Sequence, residues 1–221
     1  MPIVPDEESL IGRDDELAVL NGVLARGEVG LVLIIGAPGM GKRSILREIR
    51  KNARNQDRPV VPAASSLTVD SDTTIDGFLT AVREAAESQP APGPDGVSED
   101  SSRLASGHPI VLILSYHPGK QFDEWFTEEL ITGTSRAGVL TVFLAGYESD
   151  LRRLVPSALR VVELGPLPEE PVSSYLRQLN EHLADKLDAR ELADYGALIR
   201  REPGMIPALR GLLELESEYA E

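Results

Sequence analysis

The chain has 221 residues, of which 42% are hydrophobic and 26% charged, a balance that fits one compact domain, or one with a small appendage, and excludes a disordered chain. Lys and Arg number 22 against 36 Asp and Glu, a formal charge of -14, so an acidic surface disfavours nucleic acid and anionic membranes as bulk partners. Aromatic residues make up only 5% and cysteine is absent, which argues against a base-stacking platform, a disulfide framework and a thiolate metal site.

The first residues, Met1-Pro2-Ile3-Val4-Pro5-Asp6-Glu7-Glu8, have no basic region and no signal-like apolar stretch. The apolar run Leu31–Ile35 is far too short to span a bilayer. A soluble, cytoplasmic protein is the expectation.

Continuous apolar β-branched runs predict strands buried on both faces at Leu31–Ile35, Ile110–Leu114 and Val139–Leu144. Weaker strands are expected at Pro59–Val61 and Arg160–Leu164. Between them, Ile75, Phe78, Leu79 and Val82 share one face of a helix. Residues 88–107 hold 11 Gly, Pro or Ser, which predicts a flexible loop inserted before a strand. From Glu169 onward only helical periodicity remains. Its stripes are Val172, Tyr175, Leu176, Leu179 and Leu183, then Leu192, Tyr195, Leu198 and Ile199, then Ile206, Leu209 and Leu213. The expected fold is a three-layer α/β domain with a five-stranded, mainly parallel sheet at 1–167, followed by a small helical lid at 168–221.

The strongest chemical signal is Gly36-Ala37-Pro38-Gly39-Met40-Gly41-Lys42-Arg43-Ser44, set between a buried strand and a helical run. That context is what a P-loop needs. Glycines let backbone N–H groups wrap a phosphate, the helix N-terminus adds positive potential, and Lys42 reaches the β and γ phosphates. The position after the lysine ordinarily carries the Ser or Thr that ligates Mg²⁺. Here it is Arg43, and the hydroxyl follows at Ser44.

Upstream stands Leu10-Ile11-Gly12-Arg13-Asp14-Asp15-Glu16-Leu17. With the P-loop, it resembles the hydrophobic-Gly-Arg-x-x-Glu-Leu segment of AAA+-like and STAND NTPases. The resemblance implies that Ile11 and Gly12 approach the adenine and that Gly12 makes a turn, with Asp14 able to cap the next helix. Leu164-Gly165-Pro166-Leu167-Pro168-Glu169-Glu170 is similar to the start of the family's helical lid. Arg201-Glu202-Pro203-Gly204-Met205-Ile206-Pro207 resembles the lid's Gly-x-Pro element, displaced by one residue.

Active members end the third core strand with two acids, one for Mg²⁺ and one for the attacking water. Here Leu114 is followed by Ser115-Tyr116-His117. Asp123 and Glu124 come later, at the start of a predicted helix, where capping is the expected use of Asp123. The next strand ends Leu144-Ala145-Gly146-Tyr147, without the family's polar sensor. Arg152 and Arg153 read as a solvated helix face, with a trans-acting arginine as the alternative. Arg210 is an uncertain sensor position.

The resemblance thus implies a degenerate regulatory or assembly module, part of signalling machinery, with a protein partner or effector. It implies ATP or ADP as cofactor, held by Ile11, Gly12, Gly36, Pro38, Gly39, Met40, Gly41, Lys42, Arg43 and Ser44. It implies no catalytic and no metal-binding residue, leaves Mg²⁺ poorly supported, and leans away from an enzyme. One alternative is an active ATP-hydrolysing switch that uses the displaced Ser44 and Asp123. Another, a P-loop small-molecule kinase, leaves Leu10–Leu17 and the helical lid unexplained.

Overall fold

A computed structural model describes residues 10–62, 67–70, 72–87, 109–116, 124–132, 140–152, 154–182 and 187–218. The predicted loop at 88–107, together with Val139, Asp123, Arg153 and Leu183, lies outside the described residues. Six strands form one sheet: β1 Gly30–Gly36, β2 Val60–Val61, β3 Leu67–Val69, β4 Ile110–Tyr116, β5 Leu140–Gly146 and β6 Ala158–Leu164. The helices are α1 Asp14–Arg26, α2 Lys42–Asn55, α3 Ile75–Glu87, α4 Glu148–Leu151, α5 Glu169–His182, α6 Ala189–Arg201 and α7 Ile206–Glu218. A π-helical turn runs from Phe126 to Ile131. No helix among the described residues is long and apolar enough to cross a membrane.

The strand order is β2-β4-β5-β1-β6, and every pair is parallel. The expected five strands become six because β2 and β3 lie end to end along one flank of β4. Val60 and Val61 pair with Val111 and Leu112, while Leu67, Thr68 and Val69 pair with Leu114, Ser115 and Tyr116. Pro62 stands at the end of β2 and has no N–H to give the ladder. With three residues, β3 is too short to show a periodicity.

β1 explains its own apolar run. Val32 and Ile34 face a core shared with Leu20, Val23 and Leu24 of α1 and Ile45, Leu46 and Ile49 of α2. Leu31, Leu33 and Ile35 face a second core containing Phe78 of α3 and Phe126. A strand covered on both faces has no polar side, hence the continuous run. Leu79 departs from the expected face of α3, being 42% exposed, while Phe78 carries the contact. Asp14 does not cap α1. Arg13 holds the cap position without a capping side-chain bond, and Asp14, Asp15 and Glu16 instead put acids in the first turn, where they interact favourably with the positive end of the helix dipole.

The helical segment builds a third core from Leu167, Val172, Tyr175, Leu176, Leu179, Ile199, Leu209 and Leu213, with Ile11 packed against it. α6 opens with a capping box between Asp188 and Glu191. Arg200 of α6 ties to the entry of α5, donating to the Leu167 carbonyl at 3.2 Å and to Glu169 at 2.9 Å.

Candidate functional site

Parallel topology gathers the C-terminal ends of the strands on one side. Thr68 pairs with Ser115, Ser115 with Ala145, and Ile35 with Gly146. There β1 runs into the loop 37–41 and α2. A cleft of about 670 Å³ opens at this end, walled by the loop, the strand ends and the 203–207 turn. That volume suits a nucleotide-sized ligand.

The loop is held by glycines in left-handed conformations, Gly39 at φ 78° and Gly41 at φ 83°. A side chain at either would be strained. Both positions face open space. Gly36 serves differently, because a Cβ there would lie 3.1 Å from Leu164 of β6. Lys42 turns back on its own loop, donating from Nζ to the carbonyls of Gly36 at 2.6 Å and Ala37 at 2.7 Å. Its Nζ also sits 4.6 Å above the centre of the Tyr147 ring. Burial lowers the lysine's pKa from its usual value.

The structure brings Ile11, Pro38, Gly39, Met40, Gly41, Lys42, Arg43 and Ser44 to the cleft. Gly12 and Gly36 are not on its lining. Gly12 makes the expected turn, at φ 61°, but its open side faces lid prolines, with Pro171 at 3.1 Å and Pro168 at 3.3 Å from an added Cβ. Ile11 is the member of that pair that reaches the cleft.

Two positions that the sequence placed in motifs without naming their contacts prove to tie the site together. Arg13 is buried, and its Nη2 donates to the carbonyls of Gly165 at 2.5 Å and Met40 at 3.3 Å, while Nη1 pairs with Glu16 at 2.8 Å. One guanidinium thus joins the N-terminal segment, the phosphate loop and the chain leaving β6. Its place beside Gly12 in the motif was the available signal. Gly204 is the other: its N–H donates to the Gly39 carbonyl at 2.8 Å, and a Cβ on it would stand 3.3 Å from Gly39. The turn at 203–205 therefore meets the phosphate loop through a backbone hydrogen bond.

The opposite wall carries Thr68, Ser115, Ala145, Gly146 and Tyr147. Among the described residues lining the cleft none is Asp or Glu, while Arg13, Lys42, Arg43 and Arg47 are cationic. Arg152 points its charge at Glu148, 2.8 Å away, on an exposed helix face, and Arg210 is not on the lining. The donor set fits a polyphosphate: backbone N–H groups, a helix N-terminus and an ammonium group. Toward Mg²⁺ the described lining offers hydroxyls but no carboxylate, where such an ion is usually held by one or two carboxylates beside the phosphate.

Residues 9–114 match the family described as "AAA ATPase domain". The chain has the fold of a P-loop NTPase, and just under half of it resembles an AAA ATPase domain. Solved structures share this fold. A DNA replication initiation factor aligns with a TM-score of 0.57 at 13% identity, over 98% of this chain and 66% of that one. The Trip13-containing complex with HORMA and CdnC from E. coli MS115-1 aligns at 0.54 with 14% identity, over 86% and 74%. The replication initiator DnaA bound to AMPPCP and single-stranded DNA aligns at 0.53 with 14% identity, over 96% and 65%. The chain therefore spans about two-thirds of the length of two of these structures. No curated protein matches the sequence.

Proposed function

We propose that the chain is a STAND-like regulatory or assembly module that holds ATP or ADP and hydrolyses it very slowly or not at all. The observation that carries this reading is the pairing of a fully built phosphate loop with a facing wall that has no carboxylate among the described residues. Phosphoryl transfer depends on positioned charge, and losing one such element typically costs about 10²–10³ in rate. Binding depends on other groups. The N–H groups of 38–41 and the Lys42 ammonium meet the phosphates, with Arg43 and Ser44 at the start of α2. Gly36 gives the loop its close approach to β6, and Ile11 flanks the base with Gly12 behind it.

To reach a phosphate, Lys42 gives up the Gly36 and Ala37 carbonyls. Because Gly204 is bonded to Gly39, a change in the loop is felt by the lid. In this reading residues 1–167 are the core, residues 168–221 are the lid, and lid position reports what the loop holds. The reader of that position is a protein partner or effector in the cytoplasm. The charge of -14 favours protein over nucleic acid. That one related fold sits in a multi-protein complex is in keeping with this.

The test is calorimetric titration with ATP and ADP, paired with phosphate release from the same sample. The reading expects saturable binding without multiple turnover. Turnover that Lys42→Ala abolishes would overturn it.

A further inference from the structure

We propose that this cleft takes the polyphosphate of its ligand without Mg²⁺, with the Arg43 guanidinium supplying the charge that a metal ion otherwise brings. The proposal rests on the nucleotide-binding reading above and adds which form of the nucleotide is bound.

Arg43 occupies the position after the P-loop lysine, where a metal-binding loop carries a hydroxyl. It is exposed, it lines the cleft, and it makes no ion pair or hydrogen bond among the described residues. Of the two described helices without an acid in the first turn, α2 and α7, α2 alone opens with two cations. The first turns of α1, α5 and α6 all contain acids, as a helix N-terminus favours. The first turn of α2 contains none and opens with Lys42 and Arg43. Two cations at the positive end of a helix repel it, and an anion seated between them removes that conflict.

The rest of the lining points the same way. Arg13 already has Glu16 and two carbonyls, and Arg47 has contacts of its own. Arg43 is thus the cation already open to a ligand, and Lys42 joins it by releasing the Gly36 and Ala37 carbonyls. Among the described lining residues the side-chain oxygens are the neutral hydroxyls of Ser44, Thr68, Ser115 and Tyr147. A hard divalent cation binds through carboxylates and phosphates, and here it would stand beside an ammonium and a guanidinium. A planar guanidinium, by contrast, can take two phosphate oxygens at once. Free ATP is therefore preferred over its Mg²⁺ complex, because the ion must be shed or accommodated against two positive charges.

The experiment is titration of the full chain with ATP in EDTA and in excess Mg²⁺ at matched ionic strength, for the wild type, Arg43→Ser and Arg43→Lys. Expected is binding in EDTA at least as tight as in Mg²⁺. Arg43→Ser should lose about tenfold or more in EDTA, the scale of one charge-assisted contact, and Arg43→Lys should recover part of it. Wild-type binding that is stronger with Mg²⁺, or an Arg43→Ser variant unchanged in EDTA, overturns the proposal and leaves the nucleotide reading standing. No ATP binding in either buffer overturns both.

Discussion

The two walls of the cleft offer a ligand opposite things. Residues 36–44 present left-handed glycines, backbone N–H groups, a helix N-terminus and Lys42. The ends of β3, β4 and β5 present Thr68, Ser115, Ala145 and Tyr147. The first wall is made of backbone geometry, which several glycines and a strand–helix junction must preserve together. The second is made of single side chains on strand ends, which can be exchanged without disturbing the sheet. In a P-loop domain the first wall holds phosphate and the second positions metal and water. The contrast teaches that holding a nucleotide and hydrolysing it reside on separable parts of one fold.

The largest expected effect comes from breaking the first wall. Lys42→Ala should weaken ATP binding by roughly 100-fold, the worth of a charge-assisted phosphate contact. Ser115→Ala, on the second wall, should change it less than about threefold. Equal losses by calorimetry would erase the distinction between the walls.

Arg13→Ala probes what holds the first wall in place. A buried guanidinium bonded to the Gly165 and Met40 carbonyls and to Glu16 is removed, and Glu16 loses its partner. Denaturant unfolding should show a loss of about 3 kcal/mol. A loss under about 0.5 kcal/mol would mean that the three-way tie is not used.

Ser115→Asp sharpens the comparison by giving the second wall the missing charge. The variant should bind ATP several-fold better with Mg²⁺ than without it, because a carboxylate now stands where a metal ligand belongs. An unchanged response to Mg²⁺ would place the obstacle at Arg43 rather than at the strand end.

The smallest effect concerns pH. Burial lowers the pKa of Lys42 from its usual 10.5. Phosphate binds the charged form, so affinity is full below the lowered pKa and falls as pH rises through it. Lys42→Arg should move that decline to higher pH, and an affinity flat up to pH 10.5 would contradict the assigned role.

Much of this was legible in the sequence, for identifiable reasons. β1 and the P-loop announce themselves because a strand buried on both faces is a run of apolar residues, and a left-handed turn demands glycine. The lid stripes at Val172–Leu179 and at Ile206, Leu209 and Leu213 are visible because one helical face is buried. Arg13 and Gly204 escaped because their partners, Gly165 and Gly39, lie far away in sequence. No local pattern marks a backbone N–H that will meet a distant carbonyl. Gly12 was read as facing the base, but its turn is backed by Pro168 and Pro171, a packing fact. Asp14 was read as a cap because its residue type caps well, yet the turn at Gly12 puts Arg13 in that position.

The most direct test of the central claim is a single-turnover experiment. Protein in molar excess over radiolabelled ATP is held for hours, and the nucleotide is then recovered and identified. The account predicts that ATP is bound and is recovered intact, or converted no faster than with Lys42→Ala. Recovery of ADP and phosphate, formed at a rate that Lys42→Ala abolishes, would contradict it and show that the second wall is catalytic after all.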